Sequence, residues 1–139
     1  MARRLATTAA LVLAGIGLSA STAMAGIGPI QLSHEQASFK GSKGENCGGV
    51  AGCYPTVLGT FTISGSAPGS CYELWYRIGE AYRPASVARL QSNPRDIHCG
   101  DQSVTDGASY MWGPLPEAYL ICRVTSAGDK LSCGAEQPN

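Results

Sequence analysis

Residues 71–78 read CYELWYRI and residues 119–125 read YLICRVT. In the first stretch Tyr72, Leu74, Tyr76 and Ile78 fall on one side of an extended chain, and Cys71, Glu73, Trp75 and Arg77 on the other. That period of two is the mark of a β-strand. In the second stretch apolar and β-branched residues occupy both sides, the pattern of a central strand with neighbours over both faces. A glycine-centred turn signal, Gly128-Asp129, follows it and Lys130 to Cys133 returns, so a type II′ hairpin is predicted. With Gly128-Asp129 central, Cys133 faces Val124 and lies diagonal to Cys122, roughly 7 Å or more away and too far for a relaxed bridge. With Ala127-Gly128 central the two cysteines face each other. A one-residue bulge reconciles the turn with the pairing, and a Cys122–Cys133 bridge is expected.

Working outward, Thr56 to Ser64 places Phe61 and Ile63 on one face and Thr60, Thr62 and Ser64 on the other, a strand with a wet face. The turn-rich GSAPGS at residues 65–70 joins it to CYELWYRI, and the two runs are expected to form a β-hairpin. Residues 84–92 (PASVARLQS) fit one short helix as well as a strand, with Pro84 suited to a first helical position. Residues 26–46 are polar; Ser33 and Gln36 have capping-box spacing but no apolar run follows. This stretch reads as a loosely held arm or an edge strand. Residues 95–109 read as a polar segment turning at Asp106-Gly107, and YMWGPLP at 110–116 as an apolar loop stiffened by Pro114 and Pro116. The expected fold is all-β: a small disulfide-stapled β-sandwich or barrel of about six or seven strands, with at most one short helix.

The chain begins with Arg3-Arg4, an apolar run from Leu5 to Leu18 and a small-residue stretch ending Ala23-Met24-Ala25. Charged region, short apolar region and A-x-A site in that order predict a signal peptide at residues 1–25. The run falls short of the roughly 18 to 20 residues that a membrane span needs. The remainder, residues 26–139, has the length of a single extracellular domain, with eight basic residues against ten acidic. Its arginines are scattered, which argues against nucleic acid and against insertion into or binding on a membrane after cleavage.

All six cysteines (Cys47, Cys53, Cys71, Cys99, Cys122 and Cys133) follow the leader, and an even count in an exported chain predicts three disulfides. Cys47 and Cys53 bracket CGGVAGC and are placed to close on each other; six cysteines allow 15 pairings in all. No C-x-x-C or H-x(3–5)-H spacing is present, so no metal is expected. No glycine-rich phosphate loop suggests a nucleotide or other cofactor either.

For chemistry, the available bases are His34 and His98. A triad of His98 with Asp96 or Asp101 and a serine defines the rival reading, a small secreted hydrolase or toxin, although no G-x-S-x-G elbow marks the serine. The leading expectation is a secreted, non-enzymatic binding domain for an extracellular protein or carbohydrate, a possible sub-case being an inhibitor of a secreted enzyme. Its candidate contact residues are Trp75, Tyr110, Met111 and Trp112, because tryptophan and tyrosine dominate recognition surfaces. Two placements fit Trp75: covered by a second layer, or exposed between Glu73 and Arg77.

Overall fold

The computed structural model describes residues 26–47, 52–85, 95–110 and 115–139, and the expected leader lies outside them. Among the described residues ten strands form two antiparallel sheets: β1 Gly28–His34, β2 Ala37–Cys47, β3 Cys53–Ile63, β4 Cys71–Ile78, β5 Ala81–Pro84, β6 His98–Cys99, β7 Gln102–Ser109, β8 Ala118–Val124, β9 Lys130–Cys133 and β10 Gln137–Pro138. The fold is the expected all-β, disulfide-stapled one, with no α-helix among the described residues. Most of the stretch that fitted a helix, residues 86–92, lies outside them. No helix among the described residues is long and apolar enough to cross a membrane.

The first sheet runs β1-β2-β3-β7. Residues 26–46, expected as an arm or edge strand, supply a tight hairpin instead, in which His34 faces Ala37 across Glu35-Gln36. Strand β1 is indeed an edge, but Ile30, Leu32, Ala37 and Phe39 are all buried. The turn interrupts their alternation after two apolar residues on each side, so neither half carries enough of the pattern to announce itself. Strands β2 and β3 pair over their full length, from Ala37 opposite Ile63 to Cys47 opposite Cys53. On the inner side of this pair Gly41 faces Gly59; a Cβ on Gly41 would stand 2.7 Å from the Gly59 Cα. Only paired glycines permit that approach.

The expected hairpin of Thr56–Ser64 with Cys71–Ile78 does not form. Strand β3 pairs with β2 and β7, whereas β4 pairs with β5, β6 and β8. The 65–70 turn is a corner between sheets, long enough to change layer. Asp101 pins it by accepting hydrogen bonds from the Gly65 and Ser66 amides at 2.9 Å each and from the Ser66 hydroxyl at 2.7 Å. Those donors, the Ser66 hydroxyl first, hold the exposed Asp101 carboxyl below its ordinary pKa.

The second sheet is built on β4 and β8, paired from Cys71–Val124 to Arg77–Ala118. Two short strands flank each: β5 and β6 lie along β4, β9 and β10 along β8. Strand β8 is thus central, as its apolar residues predict. Between the sheets lie Ile30, Leu32, Phe39, Val57, Phe61, Ile63, Tyr72, Leu74, Tyr76, Tyr119 and Ile121. A second, smaller core covers the outer side of β4 and β8: Cys71, Trp75, Leu120, Cys122 and Val124, with Ile97 and Cys133 packed on it.

All three disulfides join residues directly opposite in a ladder: Cys47–Cys53, Cys71–Cys99 and Cys122–Cys133. The Cys122–Cys133 bridge forms as expected, and a bulge between Arg123 and Val124 takes up the slip. The turn itself differs. The Gly128 amide donates to the Thr125 carbonyl at 2.9 Å and Gly128 has φ +93°, so Ser126-Ala127 are the central residues and the glycine follows them in the left-handed region.

Candidate functional site

Trp75 follows the covered placement, with 7% of its surface exposed. Its indole N–H donates to Glu73 Oε2 at 3.0 Å, and the Glu73 carboxylate, itself buried, also accepts from Arg95 Nε at 3.1 Å. The Arg95 guanidinium and the Lys130 ammonium each lie 5.6 Å from the Trp75 ring centre, and Lys130 is 4.8 Å from that of Tyr82. A buried carboxylate needs such a complete set of partners, so Trp75, Glu73 and Arg95 form one packed unit. Tyr110 is also 7% exposed and lies against Tyr76 and Tyr119, ring centres 5.2 and 6.2 Å away. Both rings therefore belong to the packed interior. Met111 and Trp112 lie outside the described residues.

Beside Tyr82 the exposed rim carries charges. Arg77 pairs with Glu117 and with Glu136 Oε2, the latter at 2.9 Å, and the Tyr82 hydroxyl donates to Glu136 Oε1 at 2.6 Å. The Gly79 amide, then Arg77, hold Glu117 below the ordinary carboxylate pKa; the Tyr82 hydroxyl, then Arg77, do so for Glu136.

His98 points inward. Its Nε2 is 3.0 Å from Asp106 Oδ2 and its ring centre 4.8 Å from that of Phe61. The partner is therefore Asp106, not Asp96 or Asp101; Asp101 is committed to the 65–70 corner. Asp106-Gly107, expected as a turn, lies in the middle of β7 opposite Gly59 and Leu58. Pairing with a full-length strand overrides the local turn preference, and it sets Asp106 on the inner face. The histidine–aspartate pair crosses between sheets as a polar tie within the core.

A concave feature lies on the other side of the first sheet. A groove of about 520 Å³ is lined by Asn46, Thr56, Val57, Leu58, Thr105, Asp106, Gly107, Ala108 and Ser109. By register, the side chains of Asn46, Thr56, Leu58, Thr105 and Ser109 belong to the outward face, and Leu58 is 60% exposed. At Gly107 there is no side chain, and the floor is bare backbone: a Cβ there would meet the Val57 carbonyl oxygen at 2.2 Å. At the rim Asn46 Nδ2 donates to the Tyr54 hydroxyl at 2.9 Å. The Asp106 carboxylate binds His98 and, through Oδ1, accepts from the Gly107 amide. The groove offers hydroxyls, an amide and one exposed leucine. The sequence reads as a wet strand face at Thr56–Ser64 and as a polar segment turning at Asp106-Gly107 on the β7 side; a glycine inside a strand, Gly107, is the signal of a close backbone approach.

Comparison of the chain with known protein families, curated proteins and solved structures finds no match to any of them.

Proposed function

We propose that this chain is an exported binding domain that holds a neutral, hydroxyl-rich ligand, a glycan, in the groove of the first sheet. Export rests on the leader-like residues 1–25 and on three disulfides with no free cysteine among the described residues, the chemistry of an oxidising compartment. The groove carries the binding assignment. Asn46, Thr56, Thr105 and Ser109 present donors and acceptors without charge, and Leu58 offers an apolar surface for the C–H face of a sugar ring. This moves recognition from the aromatic residues, which are buried at Trp75 and Tyr110, to short hydroxyl side chains on a rigid sheet.

The test is calorimetric titration with a panel of neutral oligosaccharides. Loss of one ligand hydrogen bond at Thr56→Val or Thr105→Val is expected to weaken binding about three- to tenfold, and Leu58→Asp to weaken it further, with the melting temperature nearly unchanged. A panel that gives no heat, or a bound sugar indifferent to all three substitutions, overturns the proposal.

A further inference from the structure

The β1–β2 turn meets β9 at the end of the core, and a nucleophile and a base come together there from positions 98 residues apart. Ser132 Oγ lies 2.9 Å from His34 Nε2. Glu35 Oε1 is 3.5 Å from Ser132 Oγ and 3.7 Å from His34 Nε2. Arg123, the direct ladder partner of Ser132, brings its guanidinium within 3.6 Å of Glu35 Oε2. The Tyr72 hydroxyl lies 2.9 Å from both Glu35 Oε2 and Gln36 Oε1.

Two features separate this cluster from an ordinary polar edge. Glu35 is the one non-glycine residue with positive φ among those described, at 51°. A two-residue hairpin loop prefers glycine or asparagine in that conformation; here the chain keeps a glutamate, at a conformational cost, and its carboxylate gathers four side chains. Strain retained against local preference points to a functional position. Secondly, Gly134 lies so close to His34 that a Cβ would stand 2.9 Å from the His34 Cβ and 2.4 Å from the Ser33 carbonyl oxygen. The histidine is therefore fixed from behind by backbone, while Ser132 stays partly accessible.

We infer that Ser132 and His34 form a nucleophile–base pair able to cleave carboxylic esters. Ser132 Oγ adds to the ester carbonyl carbon as its proton passes to His34 Nε2. The tetrahedral intermediate collapses by breaking the bond to the alkoxide, which leaves with that proton, and an acyl group remains on Ser132. Water then gives a proton to His34 and its hydroxide adds to the acyl carbon. Ser132 departs, takes the proton back, and the carboxylic acid is released. The Glu35 carboxylate, 3.7 Å from His34 Nε2 and itself held by Arg123, stabilises the imidazolium formed in each step.

The experiment uses the disulfide-intact protein with a fluorophosphonate probe and with short-chain aryl esters. The probe is expected to label Ser132, located by peptide mass spectrometry. Aryl-ester turnover is expected to disappear in Ser132→Ala and to fall at least a hundredfold in His34→Gln, with melting temperatures reported for each. Glu35→Gly suits the turn better and so folds; turnover in it is expected to drop at least tenfold even though stability is kept. Turnover or labelling that survives in Ser132→Ala, or a wild-type protein that shows neither, overturns the inference. Glycan binding in the distant groove is a separate measurement, so failure of one proposal leaves the other standing.

Discussion

The two sheets bury their strands differently. In the first, β3 has a covered side, with Val57, Phe61 and Ile63, and a wet side, with Leu58 and Thr60 exposed. In the second, β4 is covered on both sides from Cys71 to Tyr76 and β8 is covered at all but one residue. Two disulfides, Cys71–Cys99 and Cys122–Cys133, flank the outer core of the second sheet; the bridge of the first, Cys47–Cys53, sits at the exposed tip of a hairpin. A small domain has little core to spare. Concentrating cross-links and double-sided burial in one sheet leaves a face of the other open to solvent.

The sharpest way to break that contrast is a pair of truncations. Trp75→Ala removes the largest side chain of the outer core and deprives Glu73 of a donor, so an unfolding free-energy loss of about 4 kcal/mol is expected from the cavity and the unmet carboxylate. Leu58→Ala, on the exposed side of β3, is expected to stay within about 0.5 kcal/mol of the parent. Urea denaturation of both variants measures the difference. Equal losses would mean that the wet face of the first sheet contributes to stability as the outer core does.

How legible these halves were in the sequence follows from the same contrast. Strand β8 and the Cys122–Cys133 bridge could be read because apolar residues on both sides of Tyr119–Thr125 leave no other role, and cysteine pairing constrains the ladder. CYELWYRI gave its two faces correctly, with Tyr72, Leu74 and Tyr76 in the main core and Cys71 and Trp75 in the outer one. The pairing of β3 was misread, since six turn residues allow either a hairpin or a change of layer and alternation does not distinguish them. The groove was not legible: Thr56 looks like any solvent-facing strand residue, and Thr105 and Ser109 read as part of a polar turning segment until β7 is known to lie beside β3. The same holds for His34 and Ser132, which only the tertiary fold brings together.

Cross-links give the second comparison. The Cys71–Cys99 bridge spans 28 residues of sequence and Cys47–Cys53 spans 6. On chain entropy alone, removing the longer one by a double alanine substitution is expected to cost about 3.5 kcal/mol and removing the shorter about 2 kcal/mol. Burial of Cys71 adds to the first figure. Chemical denaturation of the two double variants tests the order. A reversed order would place the stabilising cross-link at the exposed hairpin tip, against the division of labour between the sheets.

A further comparison is the response to alkali. Burial pushes the Tyr119 phenol, on β8, up to about 12 from an ordinary 10, and the nearby Tyr110 hydroxyl only partly opposes it. Burial also raises the phenols of Tyr72 and Tyr76 on β4. Below pH 10 both folded and unfolded chains hold the Tyr119 proton, and its contribution to stability is complete. As pH rises past 10 the unfolded chain releases that proton and the folded one does not, so unfolding becomes easier. The loss from Tyr119 reaches about 2.3 kcal/mol at pH 12 and levels off near about 2.7 kcal/mol above it, two units at about 1.4 kcal/mol each. Tyr119→Phe, which cannot ionise, is expected to flatten this decline. Urea midpoints measured across this range, with phenolate absorbance followed in parallel, decide the matter. If Tyr119→Phe loses stability in alkali as steeply as the parent, the double-sided burial of β8 is not what limits the fold there, and the sensitive element must be sought at the edges of the sheets.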